Sequence, residues 1–242
     1  MKNILLIAGS DSIGGAGVQA DIKTCEALGC YSANAITCAV AENTAEVADI
    51  VPMPISFIKS QIECILKELR VDAVKIGMLF SAEIIQALAP ILKQINAPIV
   101  LDPVCISKGG SPLIESSAIS ALRELLPLAT ISTPNRFEFK ELLDGVLDFP
   151  CDVLVKKNTS EGATDVLYKK SGQKLEFVCE LLEPNLIHGT GCTLSTAIAC
   201  FLARGLSVEE SIKSAKNYVS KAISGALSTK FGVRILNHKV NL

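Results

Sequence analysis

Short apolar runs alternate with longer amphipathic ones along almost the whole chain. The runs "ILLIA" (4–8), "ANAITCAVA" (33–41), "AVKIGML" (73–79), "PIVLD" (98–102), "ATIST" (129–133), "DVLVK" (152–156), "DVLYK" (165–169) and "KLEFV" (174–178) have the length of strands. Most are apolar throughout rather than alternating, which is the mark of strands covered on both faces. Between them, Ile55, Ile58, Ile62, Ile65, Leu66 and Leu69 recur at helical spacing and fall on one face. This alternation predicts an α/β fold: an open, mostly parallel sheet with helices on both faces. The close pair 165–178, split by "KSGQ", predicts an antiparallel hairpin at one edge. No linker, repeat or low-complexity segment intervenes, so residues 1–242 are expected to form a single domain. In such sheets ligands bind beyond the carboxyl ends of the strands, and candidate chemistry is sought there.

Composition narrows the possible partners. A formal net charge of −2, without a basic stretch, leaves no electrostatic footprint for a nucleic acid or an anionic membrane. The apolar run near the start is about five residues, too short for a signal segment or a membrane span. Nine cysteines, an odd number with no C-x-x-C pair, stand beside only two histidines. That argues against a disulfide framework and against a zinc site, and predicts reduced thiols in the cytoplasm. Small molecules are the expected ligands.

Two stretches carry candidate chemistry. The first, "GSDSIGGAGVQAD" (9–21), has glycines at 9, 14, 15 and 17, which implies close backbone approach to something. Within it Gly15–Ala20 fits the G-x-G-x-x-A dinucleotide fingerprint, with Glu42 at the end of the next strand as a ribose-binding acid. Against an NAD-binding reading, residues 9 to 14 separate the strand from the fingerprint, where a Rossmann turn passes almost directly. The second stretch, "LIHGTGCTLSTAIACFLARG" (186–205), places two glycines and Cys192 where helical periodicity begins at Leu194, Ala197, Ile198, Phe201 and Leu202. Gly205 supplies the stop. "GTGC" is therefore a helix entrance, whose backbone N–H groups at Gly189, Thr190 and Gly191 suit an anion such as a phosphoryl group in transit. The same field is expected to favour the Cys192 thiolate. Cys192 as one more small buried hydrophobe is the bland alternative. A Cys192/His188 nucleophilic pair is discounted, because neighbours in sequence need not meet in the fold.

Taken together, "IAGSDSIGGAGVQAD", "AITCAVAENT", "VKIGML", "LDPV", "PLATISTPNRFEF" and "HGTGCTLSTAIA" resemble the hydroxymethylpyrimidine/phosphomethylpyrimidine kinases of thiamine biosynthesis, within the ribokinase-like superfamily. The resemblance runs almost end to end, with the motifs in the expected order. It implies a ribokinase-like sheet, ATP with Mg²⁺, and phosphorylation first of a hydroxymethyl group and then of the monophosphate. It puts Cys192 in the place of the superfamily's G-A-G-D acid, the base for the accepting hydroxyl. It makes Lys156 the phosphate-binding lysine, with Asn135 and Thr190 also on the nucleotide phosphates. Asp102 and Glu138 become the Mg²⁺-site acids, Glu138 acting through water. Gly9, Gly15, Ala16, Asp21, Glu42, Met78 and Val104 fall on the substrate side, with "CISKGGSPL" (Gly109, Gly110) as a flap. A homodimer is expected on the same ground. Read by themselves, Asn135 after Pro134 is a good helix N-cap and Asp102 a turn former before Pro103.

Two positions depart from the family pattern. After Lys156 the sequence reads Lys157-Asn158-Thr159, where the family shows Gly-Gly-His. Glu42 stands in "AENT" where pyrimidine kinases have Gln. A Gln amide both donates to a ring nitrogen and accepts from the neighbouring amine, whereas an ionised Glu only accepts. Related kinases that differ at this position include pyridoxal kinases, so the resemblance makes pyridoxal the alternative substrate.

Overall fold

A computed structural model describes residues 1–105, 116–146, 148–156, 163–179 and 187–240. The chain runs β1 (Asn3–Asp11), α1 (Gly17–Ala27), β2 (Tyr31–Glu42), β3 (Val47–Pro52), α2 (Ile55–Glu68), β4 (Ala73–Ile76), α3 (Ala82–Leu92), β5 (Ile99–Leu101) and α4 (Ser116–Leu125). It continues through β6 (Ile131–Ser132), α5 (Arg136–Leu143), β7 (Asp152–Val155), β8 (Ala163–Tyr168), β9 (Lys174–Cys179), β10 (Ile187–His188), α6 (Thr190–Ala203), α7 (Val208–Ser224), β11 (Leu227–Ser228) and β12 (Arg234–Ile235).

The large sheet has the order β3-β2-β1-β4-β5-β6-β7-β8-β9. Strands from β2 to β7 in this order pair in parallel, while β3 on one side and β8–β9 on the other are antiparallel. Because the chain goes first one way from β1 and then the other through β4, the crevice for ligands opens at the carboxyl ends of β1 and β4. A second sheet, β10-β12-β11, holds the segment leading into α6.

Strand geometry sends alternate side chains to opposite faces. In β1, Leu5 and Ile7 join a core with Ile58, Ile62, Ile84, Leu88, Leu122 and Leu142 from α2 to α5. Ile4, Leu6 and Ala8 join the opposite core with α1, α6 and α7. This is the covered sheet that the apolar runs predict. Among the described residues no helix is long and apolar enough to cross a membrane.

The differences from expectation are local. Of the six aliphatic residues in and just after α2, only Ile58 and Ile62 are fully buried, and Leu66 stays exposed, because α2 covers the sheet near its β3 edge. The hairpin β8–β9 forms as predicted, closed by a turn in which the Lys169 N–H donates to the Gln173 carbonyl at 2.8 Å. The flap glycines Gly109 and Gly110, and residues 157–160 after Lys156, lie outside the described residues.

Candidate active site

The entrance to α6 is the centre of the site. Gly189 is its N-cap with φ +86°, and the first helical residues are Thr190, Gly191 and Cys192, whose N–H groups have no carbonyl one turn back within the helix. Only glycine serves at 189, since a Cβ there would fall 1.7 Å from the Gly15 carbonyl oxygen. Gly189→Ala is expected to push these two loops apart, abolish turnover and destabilise the protein by about 1–3 kcal/mol, read as a lowered urea midpoint. From Thr193 to Ala203 every residue of α6 is buried, so the entrance is fixed by packing.

Two ion pairs stand at this entrance. A Cβ on Gly191 would lie 3.2 Å from Lys156 Nζ and 3.8 Å from an Asp102 oxygen. Lys156 donates to Asp102 at 2.8 Å, and Asp102 also accepts from Thr133 Oγ1 (3.1 Å) and Ser195 Oγ (3.2 Å). Burial works against the Asp102 charge, but Lys156, Lys75 and the Thr133 hydroxyl outweigh it and hold the carboxyl below its usual range. The second pair is sealed from solvent: Lys75 Nζ donates to Asp21 at 2.7 Å, and Thr196 Oγ1 to the other Asp21 oxygen at 2.6 Å. Burial opposes the Lys75 charge, and Asp21, Cys192 and Asp102 together hold it protonated.

Cys192 corrects one expectation. The helix entrance was expected to favour its thiolate, yet burial pushes the thiol up to about 11, against the pull of Lys75 and the Gly17 N–H. Desolvation outweighs the helix field here. The resting form at neutral pH is the thiol.

The glycine loop packs on this entrance rather than cradling a dinucleotide. A Cβ on Gly15 would meet His188 Cδ2 at 2.5 Å, and one on Gly17 would collide with the Gly9 carbonyl. The glycines thus serve approach to protein atoms, which removes the NAD-binding reading. Asp11 organises the loop: its carboxylate accepts from the N–H groups of Ile13 (2.8 Å), Gly14 (3.2 Å) and Ala16 (2.7 Å), and meets His188 Nε2 at 3.0 Å. The Asp11–His188 contact ties the loop to "HGTGC".

Beside the loop is an apolar seat. Cys38, Val40 and Met78 are buried together, with Val104 and Phe80 packed against them. A Cβ on Gly9 would lie 2.8 Å from Cys38 Sγ, so glycine is needed there to let the loop approach. Phe80 has φ +66°, the one positive-φ residue other than glycine among the described residues, and marks backbone strain at this seat. Glu42 ends β2 at its rim, pinned by Ser12, whose hydroxyl accepts from the Glu42 N–H (2.8 Å) and donates to its carbonyl (2.7 Å).

Asn135 and Glu138 form a complete capping box on α5: Asn135 Oδ1 accepts from the Glu138 N–H (2.9 Å), and Glu138 Oε2 from the Asn135 N–H (2.8 Å). The other Glu138 oxygen accepts from the Cys105 N–H at 3.4 Å. A Mg²⁺ ion needs free, hard oxygen ligands. Asp102 is already neutralised by Lys156 and Glu138 is taken by two backbone donors, so these acids fit contact with Mg²⁺ through water and not direct ligation.

An apolar cluster, a thiol and the free N–H groups of a helix entrance thus stand together at the carboxyl ends of the strands, and comparison with known proteins decides the family. Residues 11–237 match the model of the phosphomethylpyrimidine kinase family. The chain belongs to that family. It is 38% identical to a hydroxymethylpyrimidine/phosphomethylpyrimidine kinase of Haemophilus influenzae, over 98% of this chain and 97% of the relative, and 36% identical to one of Streptomyces coelicolor, over 97% and 93%. Among solved structures, the phosphomethylpyrimidine kinase of Clostridium difficile superposes with a TM-score of 0.79 at 37% identity (92% of this chain, 100% of that one). The pyridoxal kinase of Bacillus subtilis, solved as an ADP complex, gives 0.89 at 33% identity (98% and 97%).

This phosphomethylpyrimidine kinase family member gathers most of the residues singled out in its sequence. Cys192, Gly189, Thr190, Gly191, Lys156 and Asp102 meet at the α6 entrance. Gly9, Gly15, Ala16, Met78, Val104 and Glu42 line the loop and the seat. Asp21 is fully buried with both oxygens taken, by Lys75 and Thr196, so it is out of contact with any ligand. Sequence reasoning passed over Lys75 and Asp11, and weighed His188 only as a partner of Cys192, whereas the structure puts it against Asp11. The signal for Lys75 was a lysine inside the apolar run "AVKIGML". Such a charge, buried in a strand, requires a partner.

Proposed function

We propose that this kinase uses ATP to phosphorylate 4-amino-5-hydroxymethyl-2-methylpyrimidine and then its monophosphate, giving the diphosphate used in thiamine biosynthesis. The observation that carries the reading is the meeting of Cys192, Lys156 and Asp102 at one half-buried helix entrance, next to the seat of Cys38, Val40, Met78 and Val104. Family membership and the names of the full-length relatives support it. The ADP complex of the pyridoxal kinase relative supports ATP as donor.

The chain's groups divide the work. The seat holds the ring so that its hydroxymethyl oxygen faces the α6 entrance. As that oxygen bonds to the γ-phosphorus and the bond to the ADP oxygen breaks, the hydroxyl proton passes to Cys192 Sγ. The N–H groups of Thr190, Gly191 and Cys192 hold the charge on the transferring group, and Lys156, oriented by Asp102, neutralises it. Mg²⁺, held through water near Asp102 and Glu138, would supply charge neutralisation on the nucleotide phosphates. A homodimer belongs to the same reading: it would cover Val51 and Phe57, exposed on and beside the β3 edge, and light scattering checks it.

Pyridoxal is the second reading, favoured by Glu42 and by the pyridoxal kinases among the structural neighbours, including that of Staphylococcus aureus solved with pyridoxal (TM-score 0.88, 31% identity, 99% of this chain and 94% of that one). The deciding experiment is ADP release with hydroxymethylpyrimidine, its monophosphate and pyridoxal side by side. Turnover with both pyrimidines is expected. Turnover with pyridoxal alone would replace the main reading by the second.

A further inference from the structure

Two carboxyl groups and an imidazole meet at the rim of the seat. Asp11, Glu42 and His188 each bring one atom to within 4.8 Å of the others. The two acids are not equivalent. Both Asp11 oxygens accept hydrogen bonds, from three backbone N–H groups and at the His188 contact, so Asp11 is built to be ionised. Among the described residues no protein donor reaches the Glu42 carboxyl, and the fold instead pins its backbone through Ser12. A second negative charge beside the Asp11 carboxylate is disfavoured, and the acid lacking donors is the one that keeps a proton.

We propose that Glu42 reads the nitrogen edge of the substrate ring as a neutral carboxyl group, and that the Asp11 carboxylate beside it keeps the proton there. This rests on the aminopyrimidine reading above. A neutral carboxyl has one O–H donor and one C=O acceptor. Those match a ring nitrogen lone pair and the amine next to it. An ionised Glu42 would face the ring nitrogen with a lone pair. If the proton crosses to the ring within the complex, the pairing becomes N–H⁺ to carboxylate, with the same total of one proton.

The charges around Glu42 agree. Burial first, and Asp11 second, push its carboxyl up to about 7, while His188 pulls the other way. On its own strand the titratable neighbour is Cys38, whose thiol burial pushes up, Glu42 adding to the rise. On the paired strand β3, Asp49 stands opposite Ala41 with its carboxylate accepting from the Ile50 N–H, and from α1 Lys23 donates to the Gly14 carbonyl. The trio is not a metal cradle, because the Asp11 oxygens are taken.

The sign follows. Below about pH 7 Glu42 already carries its proton; above it, binding must take one up, so affinity falls by up to tenfold per pH unit. Titration calorimetry with hydroxymethylpyrimidine tests this in native protein and in Glu42→Gln, whose partly exposed site leaves folding intact as checked by thermal melting. At pH 8, in buffers of different ionisation enthalpy, the native protein should take up close to one proton per ligand, and between pH 7 and 8.5 its Kd should rise about 10- to 20-fold. Glu42→Gln should take up none and keep a flat Kd over that range. Pyrimidine bound and turned over by both proteins, with equal proton uptake and equal profiles, would overturn the inference while the substrate reading stands. Pyrimidine bound by neither at any pH would overturn both.

Discussion

Replacing Cys192 by alanine is expected to lower kcat by about two to four orders of magnitude and leave KM for ATP nearly unchanged. The size is that of losing a general base, since the N–H groups at the α6 entrance, Lys156 and the seat all remain. The pH profile separates this role from packing. With the thiol raised to about 11, the thiolate is the minor form at neutral pH, so native kcat should climb with pH, about tenfold per unit while the chemical step limits turnover. Cys192→Asp should retain part of the activity and lose the climb, because a carboxylate there is already ionised. Near-normal turnover in the alanine variant would return Cys192 to the role of a buried hydrophobe. The affinity for the pyrimidine is expected to fall over the range where kcat rises, so kcat/KM should stay level above pH 7, and only separate measurement of the two reveals either slope.

The second large effect lies beneath the base. Lys75→Met leaves the Asp21 charge in a fully buried place with, among the described residues, the Thr196 hydroxyl as its remaining side-chain partner, and should cost about 3–5 kcal/mol of stability by urea denaturation. Adding Asp21→Asn removes the stranded charge and should restore most of that loss. Turnover should stay depressed in the double variant, since the Lys75 charge pulls the Cys192 thiol down. A single variant as stable as the native protein would mean that the pair contributes nothing as an ion pair.

What the sequence made legible follows from the physics of each element. Strands buried on both faces are apolar runs, and seven of the eight runs lie at or within a residue or so of strands of the large sheet; the run 73–79 ends early, at Ile76, where the chain leaves to build the seat. The strand β3 was missed because an open edge needs no apolar run: "VADIVP" carries an acid, a proline and exposed side chains. The strands β10, β11 and β12 have two residues each, too few for any period. At the site, the α6 entrance was visible because glycines and helical periodicity meet there. The Lys75–Asp21 and Asp11–His188 pairs were not, since their members lie 54 and 177 positions apart and no local pattern joins them. The charge state of Cys192 was misjudged for a related reason: a helix entrance can be read from sequence, but the depth at which it is buried cannot. Asn135 showed its cap in sequence, and the structure completes it with Glu138.

The smaller sheet sets the time at which the protein becomes an enzyme. His188 is held by β10, which pairs with β12 at Ile187–Arg234 and His188–Ile235, and a Cβ on Gly15 would lie 3.2 Å from Ile235. All nine strands of the large sheet are complete by residue 179, more than fifty positions earlier. A chain emerging from the ribosome can therefore pair the strands of its main sheet while the α6 entrance bearing Cys192 still lacks its support. The site is expected to be complete only once residues 234–235 have emerged and docked. By the same logic, a protease that nicks the connection between α7 and β12 would silence the enzyme while its main sheet stayed folded.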